Sequence, residues 1–103
     1  MKIEITDLSF KCIIGILDFE RIKKQKVLIN VSFEYEYSKD AFIDYAEVSN
    51  LIKITMKKEK FFLLEDAILY LESLLLNSYK IDTLKIKISK PNILKNCIVS
   101  LSN

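Results

Sequence analysis

The stretch Lys26–Tyr37, KVLINVSFEYEY, decides the fold. Val27, Ile29, Val31, Phe33, Tyr35 and Tyr37 share one parity, and Lys26, Asn30, Ser32, Glu34 and Glu36 share the other. A half-buried antiparallel strand imposes that period of two, because successive side chains point to opposite faces of a sheet. Upstream, Ile3 and Ile5 and then Leu8, Phe10 and Cys12 alternate in the same way, so a first strand interrupted near Asp7 is expected. The segment between the two, GILDFERIKKQ, carries the only glycine, Gly15. It is too long for a tight two-residue turn and reads as a wide hairpin connection.

Downstream the period lengthens. From Tyr45 to about Lys58, Val48, Leu51, Ile52, Thr55 and Met56 keep helical spacing, and Leu64, Ala67, Ile68, Leu71, Leu74 and Leu75 mark a second helix. Leu69, Tyr70 and Leu76 widen the apolar surface of that second helix, which therefore needs cover on more than one side. Alternation returns at Leu84, Ile86 and Ile88, and the chain ends in NCIVSLS, with Cys97, Val99 and Leu101 on one face. The order ββααββ, undivided by a linker or repeat, predicts one α+β domain over residues 1–103: a four-stranded antiparallel sheet with two helices packed on one face.

Half of the 103 residues are apolar. A folded monomer of this length exposes only roughly 6,000 Å², little room for so much apolar surface. Two free sheet edges add a second liability. Joining edges into a ring of subunits would relieve both. Sixteen basic and fourteen acidic residues are interleaved, giving a net charge of +2, which argues against a dedicated nucleic-acid surface. Arg21 to Lys26 is the densest basic run and reads as a solvated turn. Cys12 and Cys97, without any histidine, cannot complete a zinc site and read as buried free thiols of a reducing compartment. The start MKIEITDL alternates, unlike a signal peptide, and no apolar run is long enough to span a membrane. A cytoplasmic location is the expectation.

Few residues suggest chemistry. Lys90 ends the third strand, just before Pro91, the only proline. A lysine there is ordinarily a solvated charge, but proline holds the preceding residue extended, so this amine is positioned. With an ordinary pKa near 10.4, a lysine acting as a base at pH 7 needs a shift of roughly 3 units; as an ammonium donor and proton relay it needs none. Glu65, in FFLLEDAIL, opens the second helix and suits the positive end of its dipole. Its carboxylate can equally accept two parallel hydrogen bonds from a planar donor pair such as an aminopyrimidine edge. Glu20, in LDFER, is most simply half of a surface pair with Arg21 or a nearby lysine. Tyr45, in FIDYAEV, is most simply a packing residue, with Asp44 as the N-cap of the first helix.

Taken together, G-x-L-x-x-E-R at Gly15–Arg21, Gln25, D-Y-A-E-V at Asp44–Val48, L-L-E at Leu63–Glu65 and S-K-P at Ser89–Pro91 occur in the order and spacing of one family. From about Lys2 to Leu101 the sequence resembles the dihydroneopterin aldolases of folate biosynthesis. The resemblance implies the tunnelling fold, tetrameric rings stacked as an octamer, and active sites at subunit interfaces. It implies a lyase without metal or other cofactor that cleaves 7,8-dihydroneopterin by retro-aldol reaction. Under it, Glu65, aided by backbone groups at Leu64 and Asp44, anchors the pterin. Lys90 is the acid–base residue, Tyr45 of a neighbouring subunit assists protonation, and Glu20 holds the hydroxylated side chain or its water. Two alternatives remain open at this point: an epimerase of the same fold acting on dihydroneopterin or its triphosphate, for which Lys23, Lys24 and Lys26 would suit the phosphates, and a non-catalytic pterin- or purine-binding ring.

Overall fold

Alternating apolar residues on β1 (Lys2–Cys12), β2 (Gln25–Glu34), β3 (Asp82–Lys90) and β4 (Val99–Ser102) form one antiparallel sheet in the order β1-β2-β3-β4. The computed structural model describes every residue from Met1 to Asn103. One register row crosses the whole sheet: Leu8 faces Ile29, Ile29 faces Ile88, and Ile88 faces Leu101. On β2 the alternation is complete, with Val27, Ile29, Val31 and Phe33 all buried. The expected interruption of β1 is a bulge between Ile5 and Leu8, where Asp7 takes φ 55° and its N–H donates to Asn30 Oδ1 at 2.9 Å. Bulges of this kind let a strand skip one residue and resume with the same face inward.

Two long helices, α2 (Tyr45–Glu59) and α3 (Leu64–Ser78), cover one face of the sheet. Asp44 caps α2 by accepting the Ala46 N–H at 2.9 Å, as its sequence position suggested. Val48, Ile52 and Met56 of α2, together with Ala67, Ile68, Leu71 and Leu75 of α3, are buried at helical spacing against β1–β3. Truncating any of the larger ones to Ala would cost about 2–5 kcal/mol.

Four expectations need correction. The connection after β1 contains a short helix, α1 (Asp18–Ile22), with Asp18 and Glu20 in its first turn. Tyr37 lies beyond β2 and is exposed, because pairing with β1 and β3 ends at Glu34. Cys97 is exposed, not buried, because only Val99–Ser102 pairs with β3 and the preceding segment runs over the surface; Cys12 is buried. Arg21 is not a solvated residue, as described below.

The apolar excess is visible in the single chain. Ile54, Phe62, Leu69, Tyr70, Leu76 and Ile98 are exposed. The chain measures 48 × 26 × 20 Å with a radius of gyration of 14.2 Å, against about 13 Å for a compact domain of this size. Its surface of 6833 Å² likewise exceeds the roughly 6,000 Å² of a compact monomer. No helix is long and apolar enough to cross a membrane.

Candidate functional site

The last residue of β3 lies deep in the structure. Lys90 is 8% exposed, and its Nζ donates to Glu20 Oε2 at 2.9 Å, across a separation of 70 residues. Glu20 itself is 4% exposed. It is therefore not the surface partner of Arg21 that its sequence position suggested. The short helix α1 turns Glu20 inward while Asp18, Phe19 and Ile22 face solvent.

Each oxygen of that carboxylate is engaged. Oε2 also accepts from Gln25 Nε2 at 2.8 Å, and Oε1 accepts from the Leu17 N–H at 3.3 Å. Gln25 is held in turn by donating to the Ile14 carbonyl at 2.7 Å. Burial pushes the Glu20 carboxyl up, but the hydrogen bonds from Lys90, Gln25 and Leu17 and the Lys90 charge outweigh it, leaving the pKa below its ordinary value. Glu20 is thus a carboxylate near neutral pH, with the Lys90 Nζ 2.9 Å away.

Gly15 makes room for this pair. It adopts φ +132°, which L side chains rarely take, and a Cβ there would overlap the Glu20 carboxyl group. Its N–H donates to the Phe61 carbonyl at 3.0 Å, tying the first loop to the α2–α3 turn. Arg21 reinforces the tie: Nη1 donates to the Gly15 and Phe61 carbonyls, both at 3.1 Å, and Nη2 to the Lys60 carbonyl at 2.9 Å. Its guanidinium also stacks 3.8 Å above the Phe62 ring. The turn so fixed leads directly into Leu63, Leu64 and Glu65.

Glu65 stands in the first turn of α3, exposed and without a hydrogen-bond or ion-pair partner. Its carboxylate is free to accept, and the first N–H groups of α3 are unpaired within the helix, as at any helix start. Leu64 is half-buried against the core. One end of the molecule therefore gathers Glu20, Lys90 and the turn carrying Glu65.

Tyr45 and Asp44 are at the other end of α2. Fifteen residues of helix separate Tyr45 from the α2–α3 turn, about 22 Å at 1.5 Å per residue. Tyr45 is 67% exposed, so it is not the packing residue its sequence context allowed. Within one chain it does not join the Glu20–Lys90 pair. A hollow of about 360 Å³ adjoins that pair, lined in part by Glu20, Gln25 and lysines. No three Cys, Asp or Glu side chains converge as metal ligands.

In the sequence Gly15 and Gln25 stand out only as parts of a motif, and Arg21 reads as a solvated charge or a surface partner of Glu20. Their roles as the space behind Glu20, the clamp on the α2–α3 turn and the second donor to Glu20 emerge only in three dimensions. The signal for Gly15 was present, since it is the only glycine in the chain.

A model of the dihydroneopterin aldolase family (FolB) matches residues 3–101. The dihydroneopterin aldolase of Haemophilus influenzae is 31% identical over 97 residues, covering 87% of this chain and 82% of that protein. The folic acid synthesis protein fol1 of Schizosaccharomyces pombe is 30% identical over 91 residues, which span 88% of this chain but only 12% of that longer protein. Among solved structures, the Escherichia coli dihydroneopterin aldolase in complex with neopterin superposes with a TM-score of 0.89 at 21% identity, covering 100% of this chain and 96% of that one. A Burkholderia dihydroneopterin aldolase bound to guanine gives 0.79 at 16% identity, covering 100% and 88%. These two establish a shared fold.

Proposed function

The chain belongs to the dihydroneopterin aldolase family, and we propose that it cleaves 7,8-dihydroneopterin by a retro-aldol reaction to 6-hydroxymethyl-7,8-dihydropterin and glycolaldehyde. Residues 1–103 would form one such domain. The observation that carries this reading is the buried Lys90–Glu20 pair at the end of β3, beside the turn that presents Glu65.

The chemistry follows from what those groups can do. The unpartnered Glu65 carboxylate accepts two parallel N–H bonds from the aminopyrimidine edge of the pterin, with backbone groups near Leu64 completing the contact. Lys90, steered by Glu20, meets the side-chain hydroxyls and ring nitrogen N5. Cleavage removes the proton from the 2′-hydroxyl, breaks the C1′–C2′ bond and forms the carbonyl of glycolaldehyde. The bonding electrons move to C1′–C6, and N5 takes up a proton. One proton leaves oxygen and one arrives at nitrogen, so Lys90 can give its proton to N5 and recover one from the hydroxyl through water. That relay starts from the ammonium, which removes the energetic obstacle to a lysine base. The enol intermediate is then protonated at C1′ with help from Tyr45, N5 returns its proton, and the ring is restored.

Tyr45 lies a helix length from the Lys90 end, so its part in this reaction requires a neighbouring subunit. The exposed apolar residues and free sheet edges favour the same conclusion, a ring of four chains that pairs into an octamer.

Turnover of 7,8-dihydroneopterin with identification of glycolaldehyde tests the reaction. Epimer formation without glycolaldehyde would reject it in favour of an epimerase. We expect Lys90→Ala to abolish turnover while pterin still binds, and Glu65→Ala to weaken binding itself. Mixed assemblies of Tyr45→Phe and Lys90→Ala chains should regain activity, because some interfaces then hold both intact residues. No recovery from a mixed oligomer would contradict the shared site.

A further inference from the structure

The motif Asp44–Val48 contains a carboxylate that the proposed chemistry leaves without a task. Glu47 is the third residue of α2, the position from which a carboxylate ordinarily reaches back to the N–H of the capping residue. Here Glu47 Oε1 instead accepts the Tyr79 hydroxyl at 2.8 Å, across a separation of 32 residues.

Tyr79 is a firm support for that bond. It follows the last residue of α3, its N–H donates to the Leu75 carbonyl at 3.0 Å, and its half-buried side chain packs against the core. Burial, the hydrogen bond to Glu47 and the charges of Glu47 and Asp44 push its pKa up to about 12, so the phenol keeps its proton through the neutral range. The bond therefore ties the first turn of α2 to the end of α3, the helix that carries Glu65 at its start.

Helix ends fray, and Tyr45, in the same turn, is exposed and adds little to hold it. Residues two apart on a helix do not face each other, so Glu47 acts on Tyr45 only through the backbone that both share. Resting on the shared site given under Proposed function, that turn must deliver the Tyr45 hydroxyl to the reacting carbon of a pterin held by another subunit. A misplacement of about 1 Å can cost about a hundredfold in rate. We infer that Glu47 and Tyr79 are positioning residues, whose hydrogen bond fixes the first turn of α2 and so aims Tyr45 into the neighbouring subunit's site.

Tyr79→Phe removes the hydroxyl and keeps the ring, so the packing of α3 survives. The expected kcat for 7,8-dihydroneopterin falls about tenfold with KM within about twofold of wild type, because Lys90 and Glu65 still hold the substrate. Glu47→Ala should fall equally and the double variant no further, while Glu47→Gln, whose amide oxygen still accepts, should regain most of what Glu47→Ala loses. The decisive readout is in trans. Mixed assemblies of Tyr79→Phe with inactive Lys90→Ala chains should turn over severalfold faster per Tyr79→Phe chain than Tyr79→Phe alone, because intact α2 ends then face intact lysines. A kcat unchanged in Tyr79→Phe, a loss confined to KM, a Glu47→Gln as slow as Glu47→Ala, or no gain on mixing overturns the inference. Mixtures of Tyr45→Phe with Lys90→Ala keep the two readings apart: if they regain activity and the Tyr79→Phe mixtures do not, the shared site stands and only the positioning role falls. If neither mixture recovers, the shared site falls and this inference with it. A wild type without turnover refutes the aldolase reading and the inference together.

Discussion

Replacing Lys90 by Met should cost about 3 kcal/mol of folding stability near pH 7 and clearly less near pH 4. Methionine keeps most of the buried apolar stem, so little packing is lost. What disappears is the ammonium that donates at 2.9 Å to Glu20, a carboxylate only 4% exposed. Removing one member of a buried pair costs about 3–5 kcal/mol, because the remaining charge is left uncompensated. Gln25 at 2.8 Å and the Leu17 N–H at 3.3 Å still donate to Glu20, which places the value at the lower end. In the wild type, the Glu20 pKa is below its ordinary value of 4.5, so its stabilisation is present above that value and is lost as pH falls through the folded pKa. In the variant, burial is opposed by fewer donors and no longer by a cation. The folded pKa then rises from its wild-type position, so less of the stabilisation that the wild type holds above the ordinary carboxylate value is present at neutral pH. Both effects widen the gap between the two proteins from acid to neutral pH. Urea unfolding followed by far-ultraviolet circular dichroism, at one protein concentration, measures it. A difference below about 1 kcal/mol near pH 7, or the same difference at both pH values, would refute the reasoning. Glu20→Gln in the Lys90→Met background should recover most of the loss by removing the stranded charge.

Gly15→Ala should destabilise by about 1–3 kcal/mol from its positive φ alone and more from displacing Glu20, with turnover lost in the same variant. Unchanged stability would mean that Glu20 does not pack there. Arg21→Ala should cost about 2 kcal/mol, since three hydrogen bonds to carbonyls and a stacked ring are lost from a partly exposed site. Arg21→Lys should not restore it, because a single ammonium lacks the planar fork that spans the three carbonyls; full rescue would reject the clamp. Thiol labelling of the folded chain should modify exposed Cys97 quickly and buried Cys12, whose pKa is pushed up to about 11 by burial, only on unfolding. Rapid reaction of both thiols would contradict the burial of Cys12.

Much of the architecture was legible because sheet and helix write their periods directly into the chain. The alternation from Val27 to Phe33, the slip near Asp7, the Asp44 cap and the helix starting at Tyr45 all correspond to observed features. At two strand ends the local pattern outruns the pairing. Tyr37 and Cys97 keep the alternation of their strands but lie past the last ladder partner, so nothing buries them. The segment containing α1 reads as a plain connection, because a five-residue helix is too short to display a period.

By itself the sequence determined the order of elements, the face each presents to the core and the four residues Glu20, Tyr45, Glu65 and Lys90 as candidates, because these depend on local periodicity and on short motifs. Only the tertiary structure decided that Glu20 and Lys90 meet as a buried pair across 70 residues, while Tyr45 stands a helix length away. Charge pairing between distant residues leaves no periodic trace in the chain. It arises when β3 is laid beside β2, and α1 turns Glu20 into the space that Gly15 leaves open.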